Sequence, residues 1–136
     1  MDIIKKPGGL SHIAIWTKDL ERSKAFYTRY FNGTANNKYV NSAKGFASYF
    51  ITFGCGPQLE LMFKTGIEEG KNDPGKEYIG LAHIAFSFGS REKVNEMTEL
   101  FRTEGCIILG EPRQTGDGFY ESVIADPDGN RIEITE

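Results

Sequence analysis

The chain of 136 residues lacks several features that mark common classes of protein. Its two cysteines, Cys55 and Cys106, do not have the paired spacing of zinc-knuckle or thioredoxin sites, which fits a reducing compartment. No apolar run approaches the ~20 residues that span a bilayer, and the N-terminus has no hydrophobic segment of signal-peptide length. We therefore expect no export and a cytoplasmic location.

Positive charge is also in short supply. The chain has 16 Lys and Arg against 19 Asp and Glu, a net charge of -3, and no basic block. This balance gives no electrostatic footprint for nucleic acid or for an anionic membrane, so we expect neither as a partner. Aromatic residues are plentiful by contrast, with 10 Phe, 6 Tyr and 1 Trp. At this length they are ample for the core of one globular domain.

Histidine occurs only twice, and its two copies reveal an internal repeat. His12 lies in Leu-Ser-His-Ile-Ala-Ile and His83 in Leu-Ala-His-Ile-Ala-Phe. A helical pattern, a glycine and extended segments follow each of them. Glu60 follows His12 by 48 positions and Glu133 follows His83 by 50, so the halves share one plan to within two residues. A repeat of this kind sets the architecture before any local detail.

Both halves are predicted to contain a strand, a helix and three further strands. Periodicity predicts helices at 19–31 and 90–104, each begun by an N-cap residue and ended at a glycine. The capping residues are Asp19 and Ser90, and the terminating residues are Asn32-Gly33 and Gly105. The sequence thus predicts an α+β chain made of two tandem βαβββ modules in a single domain.

The module boundaries follow from turn-forming and polar stretches. Module one is predicted at 8–64 and module two at 79–136, joined by a surface linker at 65–78 and preceded by a leader that ends at Pro7-Gly8-Gly9. In module two, Gly110 to Gly118 is predicted to be a polar loop that contains Arg113. Asp126 to Gly129 is a strong turn signal that makes the last two strands a hairpin.

The two histidines and two glutamates form a candidate metal-ligating set. Strand alternation turns each of them to the side opposite its apolar neighbours. Taken singly they are ordinary, because a strand histidine is usually structural and a glutamate alternating with Leu or Ile usually faces solvent. Together, two imidazoles and two carboxylates suit a divalent metal such as Zn, Ni, Co or Mn. The residues alone leave both interpretations open.

Four motifs resemble the vicinal oxygen chelate superfamily over nearly the whole chain, from Leu10 to Glu136. They are Leu-x-His-Ile-Ala at the first histidine, Asp-Leu-Glu-Arg-Ser-x-x-Phe-Tyr in the first helix, Leu-Glu-Leu around Glu60, and Asp-Pro-Asp-Gly-Asn-x-Ile-Glu-Ile near the end. Within the superfamily, the order His, Glu, His, Glu is similar to glyoxalase I (lactoylglutathione lyase) of the short bacterial type. Extradiol dioxygenases and fosfomycin-resistance enzymes use three protein ligands, so Glu60 favours the glyoxalase branch.

This resemblance implies a metal-dependent lyase that acts on an α-oxo thiol adduct such as that of methylglyoxal. His12, Glu60, His83 and Glu133 would hold one divalent ion, with Ni, Co or Zn expected. Glu133 would also be the catalytic base, moving a proton through a metal-bound enediolate. The resemblance further implies a homodimer with the metal sites at the subunit interface, and it leaves open whether one chain or two supply the ligands.

Two departures bear on the substrate. Trp16 stands where glyoxalase I has an arginine for the glutathione carboxylate, and Lys64 stands where it has an asparagine, so use of glutathione as the thiol is an open question. The residues proposed to contact substrate are Trp16, Phe50, Met62 and Phe119 as apolar walls, and Lys64, Arg113 and Glu121 as polar groups.

Other functions within the superfamily stay open. The chain could be a non-catalytic, drug-binding protein similar to bleomycin-resistance proteins, although four ligands favour an enzyme. An iron-dependent dioxygenase is a further alternative. Methylmalonyl-CoA epimerase is a third, but no glutamate near Ala43-Lys44-Gly45 matches its first catalytic base.

Overall fold

The computed structural model describes residues 8–70 and 73–136, and the chain divides into two compact units, Met1–Ile67 and Glu68–Glu136. The predicted leader as far as Pro7 lies outside the described residues, and so do Lys71 and Asn72 of the predicted linker. The first unit contains β1 (His12–Trp16), α1 (Leu20–Tyr30), β2 (Thr34–Ala35), β3 (Tyr39–Asn41), a 3₁₀ turn (Ser42–Lys44), β4 (Phe46–Thr52) and β5 (Gln58–Lys64). The second contains β6 (Ile84–Ser87), α2 (Arg91–Thr103), β7 (Ile108–Gln114), β8 (Tyr120–Ala125) and β9 (Arg131–Thr135).

The two units have the same sheet topology. In the first, the strand order is β1-β5-β4-β2, and the short strand β3 also pairs with β4. In the second, the order is β6-β9-β8-β7. The first and last strands pair in parallel in both units, whereas all other pairs are antiparallel. The predicted pair of βαβββ modules is therefore confirmed, with one strand of the first module divided into β2 and β3.

Both helices begin where their capping residues predict. The Asp19 carboxylate accepts a hydrogen bond from the backbone N–H of Arg22 at 3.0 Å, and the Ser90 hydroxyl accepts one from Lys93 at 3.2 Å. The end of α1 differs in detail from the expectation, because Asn32 and not Gly33 adopts the left-handed conformation, with φ of 54°. Neither helix, among the residues that the structure describes, is long and apolar enough to cross a membrane.

Glycine is needed at position 33 because of close packing and not because of a left-handed conformation. A Cβ at this position would lie 2.5 Å from Ile51 Cγ2 on β4 and 3.0 Å from the Tyr27 carbonyl oxygen. The chain therefore leaves α1 in close contact with the sheet, and a side chain there would force the two apart.

In each unit the helix covers one face of the sheet, and that face is the apolar core. The residues of this core that are fully buried include Tyr27, Ile51 and Leu61 in the first unit, and Val94, Phe101, Ile124, Ile132 and Ile134 in the second. Glu60 lies between buried Leu59 and Leu61, and Glu133 lies between Ile132 and Ile134. Strand alternation thus directs both glutamates to the face opposite the helix.

The placement of Arg113 in a loop was wrong. Arg113 lies on β7, where it pairs with Glu121 of β8. Two irregularities in the β7–β8 register, around Gly110, interrupt the alternation that identifies a strand, and Pro112 adds a residue that favours loops. Proline is tolerated there because β7 is an edge strand of its four-stranded sheet in the part of the chain that the structure describes.

Replacement of Tyr49 by phenylalanine tests how α1 is attached to the sheet. The Tyr49 hydroxyl donates to the Glu21 carboxylate of α1, with distances of 2.9 and 3.2 Å to its two oxygens, although the ring itself is buried. We expect Tyr49→Phe to lower the free energy of unfolding by about 1 kcal/mol, measured by urea denaturation. The exposed Tyr39 is the control, and an equal loss in Tyr39→Phe would contradict this role.

Candidate metal and substrate site

Each unit brings one histidine beside one glutamate. In the first unit Ala14 of β1 pairs with Glu60 of β5, and in the second Ala85 of β6 pairs with Glu133 of β9. The histidine stands two residues before that alanine in both cases, so its imidazole lies diagonally next to the carboxylate. The sequence predicts His83 on a strand, whereas in the structure it directly precedes β6, which begins at Ile84.

The donor atoms of each pair lie close together, and those of the second pair are at a distance that suits a shared cation. His12 Nε2 lies 3.6 Å from Glu60 Oε1, and His83 Nε2 lies 3.1 Å from Glu133 Oε1. Two ligand atoms about 2.1 Å from one ion are separated by about 3.0 to 3.4 Å at common bond angles. The His83–Glu133 distance falls in this range, whereas the His12–Glu60 distance exceeds it by about 0.2 Å and would have to shorten to hold an ion. Both imidazoles are 41% exposed and the carboxylates 17% and 19%, which leaves these donors open to an ion.

Neither pair is a complete metal site by itself. Across residues 8–70 and 73–136, no three or more His, Cys, Asp or Glu side chains form a group that could hold a metal ion. Each unit supplies two of the four predicted ligands, and structural metal sites commonly need four.

One contact of His12 was not identified from the sequence. The Ser11 hydroxyl lies 3.1 Å from His12 Nδ1, on the side of the ring opposite the nitrogen that approaches Glu60. A partner at one ring nitrogen sets the tautomer and orientation of a ligand histidine. The sequence shows only that Ser11 is next to His12. Adjacency by itself does not predict a hydrogen bond to the imidazole. Ala82 occupies the corresponding place before His83.

The surroundings of the first pair are apolar. The Phe50 ring meets the His12 ring edge-on at 5.3 Å, and Phe50 is the β4 residue paired with Glu60. Trp16 pairs with Met62 on the same face and is 44% exposed. The sequence missed Phe46, whose ring packs against Trp16 at 6.2 Å. The predicted wall residues Trp16, Phe50 and Met62 therefore share the sheet face of His12 and Glu60, and exposed Lys64 lies at the end of β5.

The surroundings of the second pair are polar. Glu121 of β8 is 92% buried, since its relative exposure is 8%, and its carboxylate lies near that of Glu133. Burial raises the pKa of Glu121, and the neighbouring Glu133 raises it further, while Arg113 and His83 oppose this effect. Glu121 thus lies near Glu133, and Arg113 of β7 is the cross-strand neighbour of Glu121. Phe119 lies in the turn before β8 and is 54% exposed.

The sequence profile of the Glyoxalase/Bleomycin resistance protein/Dioxygenase superfamily matches residues 9–134. The chain belongs to this superfamily. Its members bind small molecules and commonly dimerise, and its glyoxalase relatives generally use a divalent metal.

Similar proteins include enzymes with a glyoxalase name. The lactoylglutathione lyase of Salmonella typhimurium is 29% identical over 133 residues, which are 93% of this chain and 91% of that enzyme. The trypanothione-dependent glyoxalase I of Leishmania major is 25% identical, with a TM-score of 0.72 over 93% of this chain and 85% of its own. Glyoxalase I from Zea mays has a TM-score of 0.75 at 24% identity, and there the match covers 93% of this chain and only 44% of the other, so it bears on the fold alone.

Glutamine in place of Glu121 tests the cost of the buried carboxylate. The pKa of Glu121 is raised in the folded protein, so ionisation of this carboxyl lowers the stability of the fold. The loss of stability is complete above the folded-state pKa. It is absent below about 4.5, where the carboxyl is protonated in both the folded and the unfolded chain. We expect metal-free Glu121→Gln to be more stable than the wild type at pH 8. The difference should shrink as the pH falls and vanish near pH 4, as measured by urea denaturation.

Glu111→Gln is the matched control for that comparison. Glu111 lies on the adjacent strand β7, is exposed, and forms an ion pair with Arg102. Its replacement should cause a small loss of stability at pH 8 and no gain. A gain in Glu121→Gln that persisted unchanged at pH 4 would contradict the assigned cause.

Proposed function

We propose that this chain is a metal-dependent lyase of the glyoxalase I type, in which His12, Glu60, His83 and Glu133 together hold one divalent ion. The observation that carries the proposal is the repetition of one imidazole–carboxylate pair at the same strand register in both units. The similarity to lactoylglutathione lyases supports the reaction class.

The donor chemistry favours a divalent ion of the borderline kind. Two neutral imidazoles and two carboxylates neutralise its charge, and nitrogen and oxygen donors suit Ni, Co or Zn. When bound, the ion supplies a Lewis acid that polarises a substrate carbonyl. The Phe50 ring against His12 and the Ser11 hydroxyl at Nδ1 hold that imidazole in place before an ion arrives.

Glu133 is the proposed base. Its carboxylate takes the proton from the carbon next to the carbonyl and returns it to the neighbouring carbon, so a single group serves both steps. Trp16, Phe50 and Met62 would form the apolar wall of the substrate site beside His12 and Glu60. Lys64 and Arg113 supply positive charge for the acidic groups of the thiol part of the adduct. Lys64 stands where glyoxalase I has an asparagine, so it offers a cation in place of an amide. We further propose that the functional form is a homodimer in the cytoplasm.

Metal analysis tests the ligand set. We expect the purified chain to bind about one divalent ion per subunit, and His83→Ala or Glu133→Ala to lose it because three ligands hold a metal much less tightly. Glu111→Ala, which removes an exposed carboxylate from β7, should keep the ion. Unchanged metal content in the ligand variants would exclude this site.

The scarcity of histidine allows a second, independent readout. With His12 and His83 as the complete set of imidazoles, ¹H–¹⁵N spectra of the side chains contain two ring systems. Titration with Zn²⁺ should shift both rings together and saturate at one ion per chain. A shift in one ring alone would show that the pairs bind separately.

Turnover of methylglyoxal with glutathione tests the reaction. We expect activity with at least one of Ni, Co, Zn or Mn, and a loss of kcat of about 100-fold or more in Glu133→Gln, which removes the base while preserving size. No turnover with any of the four ions would reject glyoxalase I activity. It would not contradict the proposed metal site.

A further inference from the structure

Two buried polar atoms in the second unit have no hydrogen-bond partner. Among the side chains that the structure describes, those with such an atom are Glu121, at Oε2, and Thr135, at Oγ1. The two residues are direct cross-strand neighbours on β8 and β9. Both lie on the sheet face of Glu133, one side-chain row farther along the strand. A buried polar atom without a partner is costly to the fold, so two side by side call for a cause outside the fold.

The repeat shows that the fold does not need a carboxylate in this row. In the first unit the matching row contains Met62, two residues after Glu60, paired with Ser48 of β4. Met62 has the place of Thr135, and Ser48 has the place of Glu121. The same backbone plan is therefore built with an apolar thioether and a small hydroxyl, and a buried carboxylate is particular to the second unit.

We propose that Glu121 and Thr135 form a binding subsite for a hydroxyl group of the substrate, an inference that rests on the proposed function and narrows its substrate class. A hydroxyl is suited to this pair because it donates to Glu121 Oε2 and accepts from Thr135 Oγ1, whereas a methyl group satisfies neither atom. Arg113, the β7 neighbour of Glu121, offsets part of the buried charge. The preferred substrate would then carry a hydroxyl group in addition to the oxygen atoms that the proposed metal would bind.

The first experiment asks whether the Thr135 hydroxyl serves the fold. Thr98 is the matched control, because it is fully buried in the same unit and its hydroxyl donates to the Val94 carbonyl at 2.6 Å and lies 2.7 Å from Ser122 Oγ. We expect Thr98→Val to lower Tm by about 4 °C or more and Thr135→Val to leave it unchanged or raise it. An equal loss in Thr135→Val would overturn the proposal, since the hydroxyl would then be structural, held for example by a buried water.

The second experiment asks whether the pair recognises a hydroxyl. Lactate and glycerate present the same carboxylate and 2-hydroxyl, and glycerate adds a 3-hydroxyl. Calorimetric titration of the full chain, with and without Zn²⁺, should give about tenfold tighter binding of glycerate, and Thr135→Val should abolish that preference. Equal affinity of the wild type for both anions, or a preference that survives in Thr135→Val, would overturn the proposal.

These results are separable from the proposed function. Loss of metal binding or of lyase activity would refute the function, while the Tm comparison of Thr135→Val with Thr98→Val would still decide whether the hydroxyl is kept for the fold. Conversely, a metal-binding lyase without a preference for glycerate would keep the function and lose the subsite.

Discussion

Parallel pairing between the first and last strands of each unit is the constraint on which the candidate site depends. A histidine and a glutamate separated by about 50 positions become neighbours because β1 lies beside β5, and β6 beside β9. Parallel neighbours need a crossover connection, which the helix and the intervening strands supply. Side chains alternate between faces along a strand, so a slip of one residue would turn the glutamate into the helix-side core.

The apolar core is what prevents that slip. Leu59 and Leu61 bury their side chains on either side of Glu60, and Ile132 and Ile134 do the same around Glu133. Burial of each such side chain stabilises the fold by about 1.5 to 3 kcal/mol, and a slip would expose two of them while burying a carboxylate. The orientation of each candidate glutamate is thus maintained by neighbouring side chains that lie on the opposite face of the sheet.

Local signals in the sequence were sufficient for the elements and their order. The caps Asp19 and Ser90 mark where the helices begin, and the turn from Asp126 is closed by a hydrogen bond from the Gly129 N–H to the Asp126 carbonyl at 3.0 Å. Where the fold departs from a regular period, the sequence misleads, as at Arg113 on the bulged strand β7. The same holds at the end of α1, since asparagine and glycine both allow the left-handed conformation and only the close approach of Ile51 decides between them.

The site was less predictable than the fold, because its geometry depends on pairing between strands that are distant in sequence. Alternation along β5 and β9 indicates a face for Glu60 and Glu133, but the distance to each histidine depends on the register with β1 and β6. The burial of Glu121 could not be predicted from the sequence for a related reason. A charged residue on a strand usually faces solvent, and what covers it cannot be inferred from the strand itself.

The repeat makes the differences between the units informative. Two copies of one backbone plan provide the same scaffold, so a side chain that differs in character between them is not required by that scaffold. Around His12 and Glu60 the differing positions carry no charge, and they include Phe50 against the imidazole and the small hydroxyl of Ser48. Around Glu133 they carry Glu121 and Arg113, charged groups that the fold must accommodate at a cost in stability. Under the proposed function this asymmetry is a division of roles, in which the first pair sits in an environment suited to holding an ion and excluding water. The second pair then sits in one suited to binding and moving protons on a polar substrate.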